Sequence, residues 1–187
     1  MMQRSLAKDD NGNRHRIQHT WLDYEQISDH LKRAAIASED ARFMSHKGFD
    51  MEAIKEAFAE NKEGRRLRGG STISQQTSKN IFLWPQRSWI RKGFEAYFTV
   101  LIEVLWGKKR ILEVYLNMIE TGNHVFGVEA ASHHYFGRSA ANVSQRQAAL
   151  LVAILPNPRR WNPAKPTNFI NTKSNGIIRY INHYEIP

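Results

Sequence analysis

Apolar residues recur at helical spacing along most of this chain, and no stretch alternates apolar and polar residues over a convincing strand length. Ile27, Leu31, Ala34, Ala35 and Ile36 open the pattern, the signature of one buried face of a helix. Ile54, Ala57 and Phe58 share a face behind Asp50, which suits an N-cap. Ile90, Phe94, Tyr97, Phe98, Leu101 and Leu105 form the longest apolar stripe, on a helix predicted from about 88 to 106 and broken by Gly107. Ile111, Leu112, Tyr115, Leu116 and Ile119 mark the next helix, expected to stop near Gly122, and a further one runs from about Gly127 to just before Gly137. Two capping boxes, Thr72 with Gln75 and Ser144 with Gln147, open a helix over about 72–82 and a very apolar one that Pro156 ends. The reading is a mainly α fold without internal repeats. At 187 residues the chain suits one domain, or one domain with a small lobe.

Composition excludes several classes. The chain has no cysteine, so thiol catalysis, disulfides and zinc–thiolate sites are out. The 41% hydrophobic fraction argues against disorder. The longest nearly apolar run, residues 96–106, is interrupted by Glu103 and falls short of the ~20 residues of a spanning helix. Residues 1–20 read as a polar, basic tail with no apolar core of a signal peptide. The net charge of +9 calls for an anionic partner: a nucleic acid, an anionic membrane surface or a phosphorylated substrate. Between Lys62 and Lys92 stand eight cations and one acid, Glu63. Crowded like charges repel, which points to a polyanionic ligand for this segment.

Three constellations carry candidate chemistry. In the first, Glu39 and Asp40 end an apolar helix and are followed by Phe43, His46, Gly48 and Asp50. Such a carboxylate serves as a general base or acid, or the pair is a solvated helix end. In the second, Gly69 and Gly70 lead through Ser71 into a helix start where free N–H groups favour an anion. Thr72, Gln75, Gln76 and Lys79 share one polar face there; the alternative is an ordinary capped, exposed helix. No Walker A loop is present. In the third, Arg87, Arg91 and Glu95 share a face with Lys92 on its flank, opposite the apolar stripe. This is a phosphate clamp with a positioned carboxylate, or a set of weak surface ion pairs. Phe82, Leu83, Trp84 and Trp89 crowd beside it, either as core or as an exposed lip for lipid. The eight histidines are scattered, and His133–His134 is not a chelating pair.

At these residues the sequence resembles the glycosyltransferase family 51 domain, the peptidoglycan glycosyltransferase module of class A penicillin-binding proteins and of monofunctional peptidoglycan transglycosylases. The motifs occur in order: E-D-x-x-F-x-x-H-x-G-x-D from Glu39, G-G-S-T-I-S-Q-Q from Gly69 continuing to Lys79-Asn80, and R-S-x-x-R-K-x-x-E from Arg87. K-x-R-I-L-E-x-Y-L-N from Lys108 and Q-A-A-L-L-x-A-I-L-P-x-P from Gln147 follow. The likeness spans about residues 20–165, and no transpeptidase domain follows, as in the monofunctional form.

The resemblance implies a lysozyme-like helical lobe with a smaller, membrane-facing jaw, over residues 21–187. It implies polymerisation of lipid II on a growing glycan strand, with release of undecaprenyl pyrophosphate and inversion at the sugar carbon. Glu39 matches the family's base and Glu95 its second carboxylate, beside which a divalent cation (Mg²⁺ or Mn²⁺) acts in some members; no organic cofactor is implied. Lys79, Arg87, Arg91 and Lys92 match positions that hold the pyrophosphate, and Ser71 and Gln76 positions that line the cleft. Family members carry a membrane helix before this domain, so the tail is expected to follow an anchor that this chain lacks. The expected location is the periplasmic face of the cytoplasmic membrane, with cell-wall synthesis or division proteins as partners. A cation clamp suits a pyrophosphate leaving group, whereas a lytic hydrolase of the same kit has no use for it. Nucleic-acid binding is disfavoured, since no helix-turn-helix or RNA-binding motif accompanies the charge.

Overall fold

The computed structural model of the chain describes residues 16–62, 70–86 and 88–187, the side chains of 57–62 excepted. Arg87, the loop cations Arg65, Arg66 and Arg68, and the side chains of Ala57, Phe58 and Lys62 lie outside that description. Among the described residues are eight α-helices: α1 (Asp29–Glu39), α2 (Met51–Lys62), α3 (Ile73–Phe82), α4 (Trp89–Leu105), α5 (Gly107–Met118), α6 (Val128–Phe136), α7 (Gln145–Ala153) and α8 (Asn168–Tyr180). The fold is mainly α, as the apolar spacing predicts.

Caps set most helix starts. Thr72 Oγ1 accepts from Gln75 N while Gln75 Oε1 accepts from Thr72 N, so α3 opens on a complete capping box. Ser144 and Gln147 repeat the arrangement at α7. Asp50 Oδ1 accepts from Ala53 N at 2.9 Å at the start of α2. Such caps stabilise a helix by about 1 kcal/mol each. Beyond the proline-rich stretch 156–166 the chain carries α8, a helix the sequence analysis does not assign, whose N-cap is Thr167.

The core lies where α1 packs against α7 and α8, and α5 contributes to the same cluster. Leu31, Ala35 and Ile36 of α1 meet this core with Ile111, Leu112 and Leu116 of α5 and Leu151 of α7, all buried. Each large apolar side chain so placed stabilises the fold by roughly 1.5–3 kcal/mol. Helix α3 packs against α4 and α5.

Beyond Met118 the chain does not continue as helix to Gly122. It forms β2 (Glu120–Gly122) and β3 (Val125–Phe126), and β1 (Gln18–His19) joins them in the order β1-β3-β2. Gln18 and His19, within the stretch read as a polar tail, pair in parallel with Val125 and Phe126. Strands of two or three residues are too short to show alternation, which is why the sequence does not announce them. Asn117 anchors this end: its Oδ1 accepts from Leu22 N and its Nδ2 donates to Leu22 O, both at 2.9 Å. Gly127 at φ +77° lies against it, where a Cβ would stand 2.6 Å from Asn117 O.

Helix α4 turns its apolar stripe away from the core: Ile90, Phe94, Tyr97, Leu101 and Leu105 are exposed. Trp89 is 92% exposed and Val104 77%. The buried face instead carries Glu95, Thr99 and Ile102. The reason is what lies beneath: α3 presents Ser74 and Ser78 there, not an apolar surface. Thr99 Oγ1 donates to Ser78 Oγ (3.3 Å) or its own helix's Glu95 O (2.7 Å), and Ser74 Oγ donates to Glu103 Oε1 at 2.5 Å. Phe82 stacks on Phe98 at 4.6 Å between ring centres, and Trp84 meets Phe94 edge-on at 6.2 Å. Phe82 is itself exposed, so the aromatic crowd is a lip rather than core.

Candidate active site

The first two motifs are physically tied. Asp40 is the C-cap of α1 and its carboxylate is buried. Oδ2 accepts the backbone N–H of Ile73, the first residue of α3, at 2.8 Å. His46 Nε2 lies 2.8 Å from Asp40 Oδ1. Because His46 Nδ1 accepts from Gly48 N at 3.1 Å, Nε2 is the nitrogen that carries the proton and donates to Asp40. Gly48 sits at φ +90°, with Thr99 Cγ2 only 2.8 Å from where a Cβ would be, and its carbonyl accepts from Thr72 Oγ1 at 2.6 Å. Asp40, His46, Gly48 and Thr72 are therefore scaffold. They aim the N-terminus of α3 and the end of α1 at one place.

Glu39, the last residue of α1, is the carboxylate this scaffold presents. It is half-buried; its Oε2 accepts from Gln76 Nε2 and its Oε1 from Ser38 Oγ, each at 3.2 Å. Phe43 is fully buried behind the scaffold, with Lys108 Nζ 4.6 Å above its ring and bonded to Glu103 at 2.7 Å. The fourth motif thus meets the first through Lys108 and Phe43. Tyr115 of the same motif is buried close enough to Glu39 and Asp40 for both to act on it. Burial, then those two acids, push its hydroxyl well above the usual tyrosine range.

Beside Glu39's partner Gln76 opens a cleft of about 710 Å³. Ser71, Gln75, Gln76 and Lys79 line it from the start of α3, and Arg91, Lys92 and Glu95 from α4. Glu95 is 3% exposed. Its Oε1 accepts from Lys92 Nζ, and Arg91 Nη1 stands 3.6 Å from Oε2. Arg91 Nε is buried in the cleft wall without a hydrogen-bond partner. An anion entering here meets Lys79, Arg91 and Lys92, cations suited to phosphate oxygens. Trp84, Leu83 and Phe82 line the same cleft, so its mouth is apolar.

Of the residues singled out in the sequence, the structure brings Ser71, Gln76, Lys79, Arg91, Lys92 and Glu95 to one cleft and sets Glu39 at its edge through Gln76. Arg87 is outside the described residues. Gln75, read both as part of the helix cap and on the candidate polar face, also lines the cleft, as does Asn80 of the quoted motif; Glu120 lines it too and carries no local signal in the sequence.

Mg²⁺ and Mn²⁺ at phosphate sites are held by one or two carboxylates together with substrate phosphates and waters. Glu95 is the carboxylate among the cations of the cleft that would share such an ion with the pyrophosphate, whose charge the ion would help neutralise; no group of three His, Asp or Glu side chains converges among the described residues.

The pattern of the family described as Transglycosylase matches residues 7–182. The chain is similar to the biosynthetic peptidoglycan transglycosylase of Caulobacter vibrioides, 54% identical over 161 residues, 86% of this chain and 70% of that protein. It is 50% identical to the protein of that name from Bacteroides thetaiotaomicron over 182 residues, 97% of this chain and 73% of the other. To that of Pseudomonas fluorescens it is 54% identical over 163 residues, 87% and 68% of the two chains.

Proposed function

This chain belongs to the transglycosylase family, and we propose that it lengthens peptidoglycan glycan strands from lipid II with Glu39 as general base. It is a peptidoglycan glycosyltransferase of cell-wall synthesis, and its substrates place its action outside the cytoplasm. The observation that carries the reaction is the pairing of a presented carboxylate with a cation-lined cleft: Glu39 bonded to Gln76, beside Lys79, Arg91 and Lys92.

In this reading Glu39 takes the proton of the acceptor sugar's 4-hydroxyl. The freed oxygen forms a bond to C1 of the donor N-acetylmuramic acid from the face opposite the leaving group. The C1–O bond to pyrophosphate breaks, its electrons go to the phosphate oxygen, and configuration inverts. Negative charge grows on the pyrophosphate, where Lys79, Arg91 and Lys92 stabilise it. Glu95 holds Arg91 and Lys92 in place before substrate arrives. Gln76 holds Glu39 in its orientation, and Ser71 adds a hydroxyl donor. Arg87 is assigned to pyrophosphate by its motif position alone.

The exposed face of α4 supports a seat on lipid. Trp89, Ile90, Val104 and Leu105 are exposed on the helix that carries Arg91 and Lys92, the composition of an interfacial helix. No described helix is long and apolar enough to cross a membrane. The lipid tail of the substrate would leave the cleft past Trp84 and Phe82 into that layer.

Two substrates test the reaction class. Incubation with labelled lipid II in detergent is expected to give polymeric glycan, and incubation with purified sacculi to release no soluble muropeptides. Muropeptide release without polymer would make the chain a lytic hydrolase and overturn the proposal.

A further inference from the structure

The cleft holds a second acid on a different wall. Glu120 of β2 lines the same cleft as Lys79, Arg91 and Glu95. Its Oε1 accepts from Arg159 Nε at 3.0 Å. Arg159 belongs to the proline-rich turn after α7, a segment to which neither the fold nor the reaction above gives a role. Glu120 is directly opposite Phe126 in the β2–β3 pair. The register shifts between Glu120 and Gly122, and Glu120 and the largely buried Phe126 both line the cleft. Met118, the last residue of α5, completes this part of the lining.

This wall is chemically unlike the one built by α3 and α4. There, cations gather for an anion. Here, a carboxylate repels one, so the Glu120 wall does not serve pyrophosphate. Arg159 opposes the carboxylate's charge, which weakens its pull on a cationic ligand, and it helps fix the carboxylate's orientation. With a side chain only 20% exposed, Glu120 is partly withdrawn from water. A fixed acceptor beside apolar surface is how sites for neutral polar molecules are composed: the apolar atoms take a flat face, and the acceptor fixes orientation.

We infer that Glu120, oriented by Arg159, is a specificity-determining residue that accepts hydrogen bonds from the hydroxyl or acetamido N–H groups of an N-acetylated sugar seated against Met118 and Phe126. The inference rests on the glycosyltransferase reading for its sugar class. It explains why the proline-rich turn reaches back to the cleft: Arg159 is a positioning residue, acting on the sugar only through Glu120.

The test uses tetra-N-acetylchitotetraose, which has N-acetylated rings but no phosphate and no ammonium group. Its dissociation constant is measured by calorimetry for the full chain and its variants. Glu120→Ala is expected to weaken it about tenfold, the loss of one hydrogen bond to a charged acceptor. Glu120→Gln, which keeps a carbonyl acceptor, loses less, and Arg159→Ala falls between wild type and Glu120→Ala. On lipid II, Glu120→Ala raises KM more than it lowers kcat, and an unchanged melting midpoint separates this from loss of fold. Equal tetramer affinity in wild type and Glu120→Ala, or no binding to wild type, overturns the inference. The tetramer has no leaving group, so its binding is read whether or not the chain polymerises lipid II. A chain that binds it through Glu120 yet makes no polymer would refute the reaction and keep the site.

Discussion

Asp40 accepts the backbone N–H of Ile73 at 2.8 Å, across 33 residues of sequence. This one bond joins the end of α1, where Glu39 stands, to the beginning of α3, where the cleft's donors stand. Asp40→Asn keeps the size but offers an amide where two donors, Ile73 N–H and His46 Nε2–H, require acceptors. It is expected to lower unfolding stability by about 2 kcal/mol, the cost of a buried charge-assisted bond lost. Urea denaturation checks the value, and turnover should fall with it because Glu39 and Gln76 lose their alignment.

The two faces of α4 should respond oppositely to substitution. Ile102→Ala, on the buried face, is expected to cost about 3 kcal/mol as a core truncation. Replacing exposed Trp89 and Val104 by serine should leave stability within about 0.5 kcal/mol. The same double variant should sediment far less with vesicles containing anionic lipid. Vesicle binding equal to wild type would remove α4 as the lipid-facing element.

Glu95 and the anion compete for the same cations. Glu95→Gln should bind inorganic pyrophosphate more tightly than wild type, because Lys92 and Arg91 no longer spend their charge on the carboxylate. Polymerisation should nevertheless fall, since the cations lose the geometry that Glu95 imposes. Calorimetry with pyrophosphate reads the first effect, and lipid II turnover the second.

Tyr24 gives the fold an alkaline signature. Its hydroxyl donates to Pro187 O at 2.7 Å, and burial, then Asp29 and Glu25, push it up to about 12 from 10.0. The folded state holds this proton where the unfolded chain has released it. Tyr24 therefore contributes stability that is full below pH 10 and is lost as pH rises toward 12. Tyr24→Phe should flatten that part of the curve, and a guanidinium titration at several alkaline pH values measures it.

Much of the site was legible because its residues act through local chemistry. Thr72 with Gln75 announces a helix start, and Lys79, Arg91 and Glu95 fall on helix faces that spacing alone can pair. The sense of α4 was not legible. Periodicity separates two faces of a helix but does not say which one faces inward, and here the polar face does, because Ser74 and Ser78 await it. The bond from Asp40 to a backbone N–H leaves no trace in side-chain pattern. Glu120 escaped because its partner lies 39 residues away on a turn, and its strand has three residues.

The central claim is that Glu39 is the base. The direct measurement is the rate of glycan polymerisation from labelled lipid II by wild type and by Glu39→Gln, with unfolding midpoints taken on both. The expected result is polymer from wild type and a rate lowered by about 100- to 10,000-fold in the variant, the range a positioned general base supplies, at an unchanged midpoint. A near-wild-type rate from Glu39→Gln would contradict the account.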